Sequence, residues 1–172
     1  PGANVISTVD MFDATNRKKA VSRIATGDYD MVIMTHDHMN LLKMKPETQE
    51  KYMQEEIDQL EDAILKSREE DDSKGNRVVK QLETAKSKLE ARLKQALDDS
   101  KKDDAVFFEE TGIDQLFVDE AHKFKSLPCY TKQSRLKGVP TNRSDRATNM
   151  LMRARWLQER NGGRGVVFAT GT

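Results

Sequence analysis

A single cysteine, Cys129, stands among 172 residues. Without a partner in the chain it excludes an internal disulfide framework and a cysteine-built zinc cluster. Long apolar runs are missing as well; none approaches the roughly 18 residues of a membrane-spanning helix. No secretory leader pattern is found, so a reducing bacterial cytoplasm is the expected compartment. Net charge is absent, because 29 basic and 29 acidic side chains cancel. That balance excludes a globally basic nucleic-acid coat and leaves only local patches. Apolar residues are scarce at 36%, while 34% are charged, above the usual ~25%. Part of the chain is therefore expected to be solvated helix. The length suits about one domain.

Three stretches differ in texture. Within residues 1–45, Val5–Val9 reads as a strand and Asn16–Thr26 as a helix with Ala20, Val21, Ile24 and Ala25 on one face. Gly27 follows as its stop signal. Met31–Thr35 is a continuous apolar run, expected to form a strand buried on both faces. Residues 46–103 change to a helical period. Met53, Ile57, Leu60 and Ile64 are spaced by 4, 3 and 4, and Val78, Leu82, Ala85, Leu89, Leu93 and Ala96 continue the stripe. Ser67–Asn76 between them is polar. Two long helices in an antiparallel coiled-coil hairpin are expected, with Pro46 in the first turn. Residues 104–172 return to alternating texture. Gln115–Val118 and Gly165–Ala169 read as strands around a Ser144–Arg160 helix that turns Ala147, Met150, Leu151, Ala154 and Leu157 inward. The expected fold class is α/β, one layered domain interrupted by a helical hairpin.

The sharpest chemical feature is Leu116-Phe117-Val118-Asp119-Glu120-Ala121-His122. An apolar strand delivers two carboxylates to its carboxyl end, where open α/β sheets place ligands. An aspartate there can hold Mg²⁺ through its waters, and a neighbouring glutamate can polarise a water for attack on a phosphate. Downstream, a second apolar strand ends in Thr170-Gly171-Thr172, small hydroxyl residues suited to hydrogen-bonding the acidic turn. From Lys123 to Arg143 the chain carries six basic residues (Lys123, Lys125, Lys132, Arg135, Lys137 and Arg143), no acidic one, and interleaved Phe124 and Tyr130. Cations neutralise backbone phosphates and aromatics stack on bases, so DNA is the expected partner.

Taken together, Val118–His122 resembles the DEAH form of motif II of superfamily-two helicases, and Ala169-Thr170-Gly171-Thr172 resembles motif III. Lys123-Phe124-Lys125-Ser126 is similar to the basic continuation of that box in Swi/Snf-type translocases. Tyr29–His36 looks like the strand ending in motif Ib, and Val5–Asp10 like motif Ia. The pattern is similar to the helicase region of large bacterial mobile-element proteins that join a Swi/Snf-like helicase to an adenine-specific DNA methyltransferase. The resemblance implies a RecA-like parallel sheet with the hairpin inserted between motifs Ib and II. It implies that Asp119 coordinates Mg²⁺, that Glu120 activates the attacking water and that His122 contacts motif III. Thr170, Gly171 and Thr172 would couple the ATP state to DNA, with Thr35 and His36 on the DNA path. No G-x-x-x-x-G-K-[ST] loop occurs in these residues, and phosphates need that loop's amides and lysine. The expectation is thus a piece of a longer ATP-dependent helicase or translocase, inactive alone, whose remaining chain supplies the phosphate loop and a second RecA-like domain.

Two other readings stay open. The hairpin could make this an interaction or scaffold module with no ATPase role. Alternatively, His36, Asp37, His38, Asp119 and His122 all follow expected strands and could converge as a metal-hydrolase site.

Overall fold

A computed structural model describes residues 2–9, 11, 16–69, 75–100, 106–127 and 144–171. The chain divides into two compact units. One comprises Pro1–Lys45, Asp104–His122 and Thr148–Thr172; the other comprises Pro46–Asp103 and Lys123–Ala147.

The first unit holds every described strand. β1 (Val5–Ser7) pairs in parallel with β2 (Met31–Ile33) across α1 (Arg17–Thr26). β3 (Leu116–Val118) pairs in parallel with β4 (Val166–Phe168). The two ribbons share no strand-to-strand hydrogen bond. This overturns the expected RecA-like parallel sheet with an inserted hairpin: the protein is mostly helical, with two small two-stranded ribbons. The physical reason lies in the strands themselves. Each is three residues long, and the apolar run read as doubly buried, Met31–Thr35, is not covered on both faces. Met31 is 55% exposed and Ile33 51%. A continuous apolar run fixes composition; it does not fix how many neighbours the strand obtains.

Between β2 and the second unit lies α2 (His36–Leu41), capped by the Thr35 hydroxyl, which accepts from the His38 N–H at 3.1 Å. α1 ends at Gly27, but not in the left-handed conformation expected of a glycine stop. Its φ is −86°, and its N–H donates to Arg23 O. A Cβ there would sit 2.0 Å from the Tyr29 ring, so a larger residue would have to displace that ring.

The second unit is led by α3 (Pro46–Glu69) and α4 (Gly75–Ser100). Both helices run further than the sequence suggested, and the turn between them falls outside the described residues. Arg68 pairs with Glu83 and Lys86 with Glu61, so sequence number falls along one helix as it rises along the other. That is the antiparallel arrangement. The seam buries Met53, Ile57, Leu60 and Ile64 from α3, as expected, together with Tyr52. From α4 it buries Val79, Leu82 and Leu89. Val79 replaces Val78 because the seam follows 79, 82, 86 and 89, which leaves Lys86 at its margin. There Glu61, then Glu90, hold the Lys86 ammonium above its ordinary lysine value.

α5 (Asp145–Arg160) starts in the second unit, where Arg92 reaches Asp145 at 2.8 Å, and continues into the first. Ala147, Met150, Ala154 and Leu157 are buried as expected, but Leu151 is exposed, and Met152 and Arg153 turn inward instead. Asn161–Gly165 then reverses the chain, with Gly162, Gly163 and Gly165 at positive φ. Asn161 Nδ2 donates to Asp114 O at 2.7 Å and Leu116 N to Gly165 O at 2.8 Å, which sets β4 beside β3.

The segments flanking the hairpin are tied together within the first unit. Phe108 N donates to Lys43 O at 2.8 Å, and the Lys45 N–H donates to both Glu109 carboxylate oxygens. Lys45 Nζ meets Glu110 at 3.0 Å. Leu42, Met44 and Phe108 are fully buried beneath. Among the described residues no helix is long and apolar enough to cross a membrane.

Candidate functional site

The acidic turn is built from β3 and its pairing with β4. Leu116 and Val118 face inward and Phe117 outward, so strand alternation turns Asp119 outward, and Glu120 follows just past the end of the strand. Both carboxylates are exposed. Ala169 N donates to Val118 O at 2.8 Å and Ala121 N to Ala169 O at 2.9 Å. The ladder therefore continues one residue past β4 and sets Ala169 beside Val118 and Ala121.

Within the turn, Glu120 has φ 53°, the one non-glycine positive φ among the described residues. Such a conformation costs of order 1–3 kcal/mol and persists only where surroundings enforce it. Asp119 Oδ1 accepts from Glu120 N at 2.8 Å. Glu120 Oε2 lies 2.9 Å from His122 Nδ1, an ion-pair distance when the imidazole is protonated, without the alignment of a hydrogen bond. His122 Nδ1 thus faces Glu120. Thr170 and Gly171 are exposed beyond β4; Thr172 lies outside the described residues.

The 35–38 segment reaches the same turn. His36 Nε2 stands 2.9 Å from Asp119 O. A carbonyl only accepts, so Nε2 carries the proton. His38 Nδ1 is 2.9 Å from the hydroxyl of Thr8, itself buried at the end of β1 with its N–H on Ile33 O. Thr35 is occupied as the helix cap. Neither Thr8 nor His38 was singled out in the sequence as a partner of the other, and a threonine after a short strand offers no pattern that would have marked it.

The histidines and acids do not assemble as a metal-hydrolase site. Among the described residues no group of three or more His, Cys, Asp or Glu is gathered to hold an ion. Asp119 alone suits a cation that keeps most of its water, the habit of Mg²⁺.

Of the basic stretch, Lys123 and Lys125 are exposed, in the second unit. Lys132, Arg135, Lys137 and Arg143, with Tyr130, lie outside the described residues.

Sequence reasoning also passed over Arg153. Its guanidinium is buried, donates to Leu42 O and lies 5.8 Å from the Phe108 ring. Burial lowers its pKa to about 10, against the opposing pull of Glu109. Nε and Nη1 have no hydrogen-bond partner among the described residues. An arginine on a helix face reads as solvated, so only packing reveals its role.

Comparison with known proteins adds two findings. A family described as a probable helicase domain matches residues 1–172. The chain is also 24% identical over 177 residues to the Defense against restriction protein B of Escherichia phage P1, covering 98% of this chain and 7% of that protein. No solved structure matches.

Proposed function

The chain belongs to the family of probable helicase domains, and from that premise we propose that it supplies the hydrolysis box of an ATP-dependent DNA helicase or translocase of the DEAH, Swi/Snf-like kind. The carrying observation is the exposed Asp119–Glu120 pair, held in a strained turn whose flanking Val118 and Ala121 are hydrogen-bonded to Ala169. In this reading Asp119 holds Mg²⁺ through water, and Glu120 takes the proton of the attacking water. Bound Mg²⁺ supplies charge neutralisation at the phosphates of ATP. His122, 2.9 Å from Glu120, orients that carboxylate, and Thr170 through Thr172 relay its state toward DNA. The phosphate loop comes from the rest of a longer protein, joined in turn to a DNA adenine methyltransferase; the chain spans about 7% of the length of the relative it matches.

Glu120→Gln tests the reading in that longer protein. The amide keeps the shape and loses the base, so ATP turnover should fall by ~10²-fold or more while nucleotide binding persists. Near-normal turnover would remove Glu120 from the chemistry. The DNA contact is tested separately through salt. With up to six phosphate contacts from Lys123–Arg143, log K should fall with log salt at a slope of at most about −5 on duplex DNA. Changing Lys132, Arg135 and Lys137 to Ala should flatten it; an unchanged slope would move the DNA path elsewhere.

A further inference from the structure

The peptide plane between Asp119 and Glu120 is gripped from both edges. On one edge the Glu120 N–H donates to Asp119 Oδ1 at 2.8 Å; on the other the Asp119 carbonyl accepts from His36 Nε2 at 2.9 Å. This plane sets φ of Glu120, because φ measures rotation about the Glu120 N–Cα bond. Turning the plane over would return Glu120 to negative φ, relieve the strain and break the His36 bond. The segment bearing His36 is itself fixed, through the Thr35 cap and through His38 on buried Thr8. It also arrives from the other ribbon, so the bond ties the carboxyl end of β2 to that of β3.

We infer that His36 is a positioning residue of the acidic turn: its Nε2–H holds the Asp119–Glu120 peptide in the strained orientation that aims the Glu120 carboxylate. This rests on the proposed function for its catalytic consequence, while its geometric content stands independently. It assigns His36 to the turn, where the resemblance had placed it on DNA.

Two variants separate these roles. His36→Phe keeps a ring and loses the donor. His36→Gln keeps an amide N–H at about the same reach. In the longer protein at saturating DNA, His36→Phe should lower kcat for ATP by ~10-fold or more. KM for ATP and the DNA concentration for half-stimulation should stay within about twofold, and His36→Gln should recover most of kcat. A raised DNA requirement with normal kcat would overturn the inference in favour of a DNA contact. Equal loss in both variants would overturn it too. Glu120→Gln is measured alongside; if that variant turns over ATP normally, the proposed function fails and the backbone readout decides alone. That readout is φ of Glu120 from NMR couplings and shifts in the 172-residue chain. It should leave the positive region in His36→Phe and remain there in His36→Gln. A positive φ retained in His36→Phe would overturn the inference.

Discussion

The helical hairpin and the strand-bearing unit are held together by different means. In α3 and α4 the stabilising surface is one repeated stripe, and each residue in it does the same thing as its neighbours. Ionic pairs such as Lys86–Glu61 only decorate the margin. The strand-bearing unit has no single long stripe; its apolar core is drawn from short pieces such as Val21 and Ile24 on α1, Leu116 and Val118 on β3, and Met150 and Leu157 on α5. Its ribbons are three residues long, and it is fastened by single contacts of unlike kinds: a buried guanidinium, a threonine cap, a histidine on a carbonyl, a lysine between two glutamates. A repetitive seam spreads its stability over many equivalent positions. A unit built from unique contacts concentrates it in a few.

Leu60→Asp should therefore give the largest effect in the hairpin. Leu60 is 1% exposed in the seam, and an unpaired carboxylate there removes apolar burial and adds a desolvated charge, costing about 4 kcal/mol. Circular dichroism should show the helical signal of α3 and α4 melting early. An unchanged melt would mean that the two helices do not share this seam.

Arg153→Ala is the counterpart in the strand-bearing unit. It empties the space against Phe108 and strips Leu42 O of its donor, at about 3 kcal/mol. Arg153→Met, which refills most of that volume, should cost clearly less in denaturant titrations. Equal losses would make the charge, and not the packing, decisive.

Thr35→Ala removes the cap of α2 at about 1 kcal/mol. Because the capped segment also carries His36, amide exchange should quicken at residues 36–39. Protection unchanged from wild type would show that His38 and Thr8 hold the segment without the cap.

Glu110→Gln should give the smallest effect, under about 1 kcal/mol, since the pair with Lys45 is half exposed. The Phe107 N–H, then Lys45, hold the Glu110 carboxyl below its ordinary value. A carboxyl depressed in the folded state stabilises above its unfolded value, and that contribution is lost as pH falls through the folded one. The variant should melt below wild type at neutral pH and alongside it in acid. A gap that persists in acid would remove charge from the explanation.

Much of the hairpin was legible because a 3.6-residue period is a local property. Met53, Ile57, Leu60 and Ile64 needed only a facing helix, and α4 provides one. On α4 Leu82 and Leu89 are buried as expected, but Val79 takes the place of Val78, and Ala85, Leu93 and Ala96 are only half-buried, because the seam was placed before its partner was known. The acidic turn was legible at Asp119 and Glu120 for a similar reason: a short apolar strand must end, and the polar residues at its end are exposed.

The sheet was not legible in the same way. MVIMT and GVVFA supplied strand-forming side chains, and both became strands, yet nothing in those letters counts ladder partners. The pairing is decided by long-range approach, and here it produced two separate ribbons. The burial of Arg153, the grip of Thr8 on His38 and the positive φ of Glu120 also join residues far apart in the chain or depend on such neighbours. By itself the sequence determined α1, α3, α4 and α5, the positions of the short strands and the carboxylates at the end of β3, because each depends on side chains within a few residues of one another. Only the tertiary structure decided which strands pair, which polar side chains are buried and which way the acidic turn faces, because those outcomes depend on hydrogen bonds and packing between segments that local sequence does not bring together.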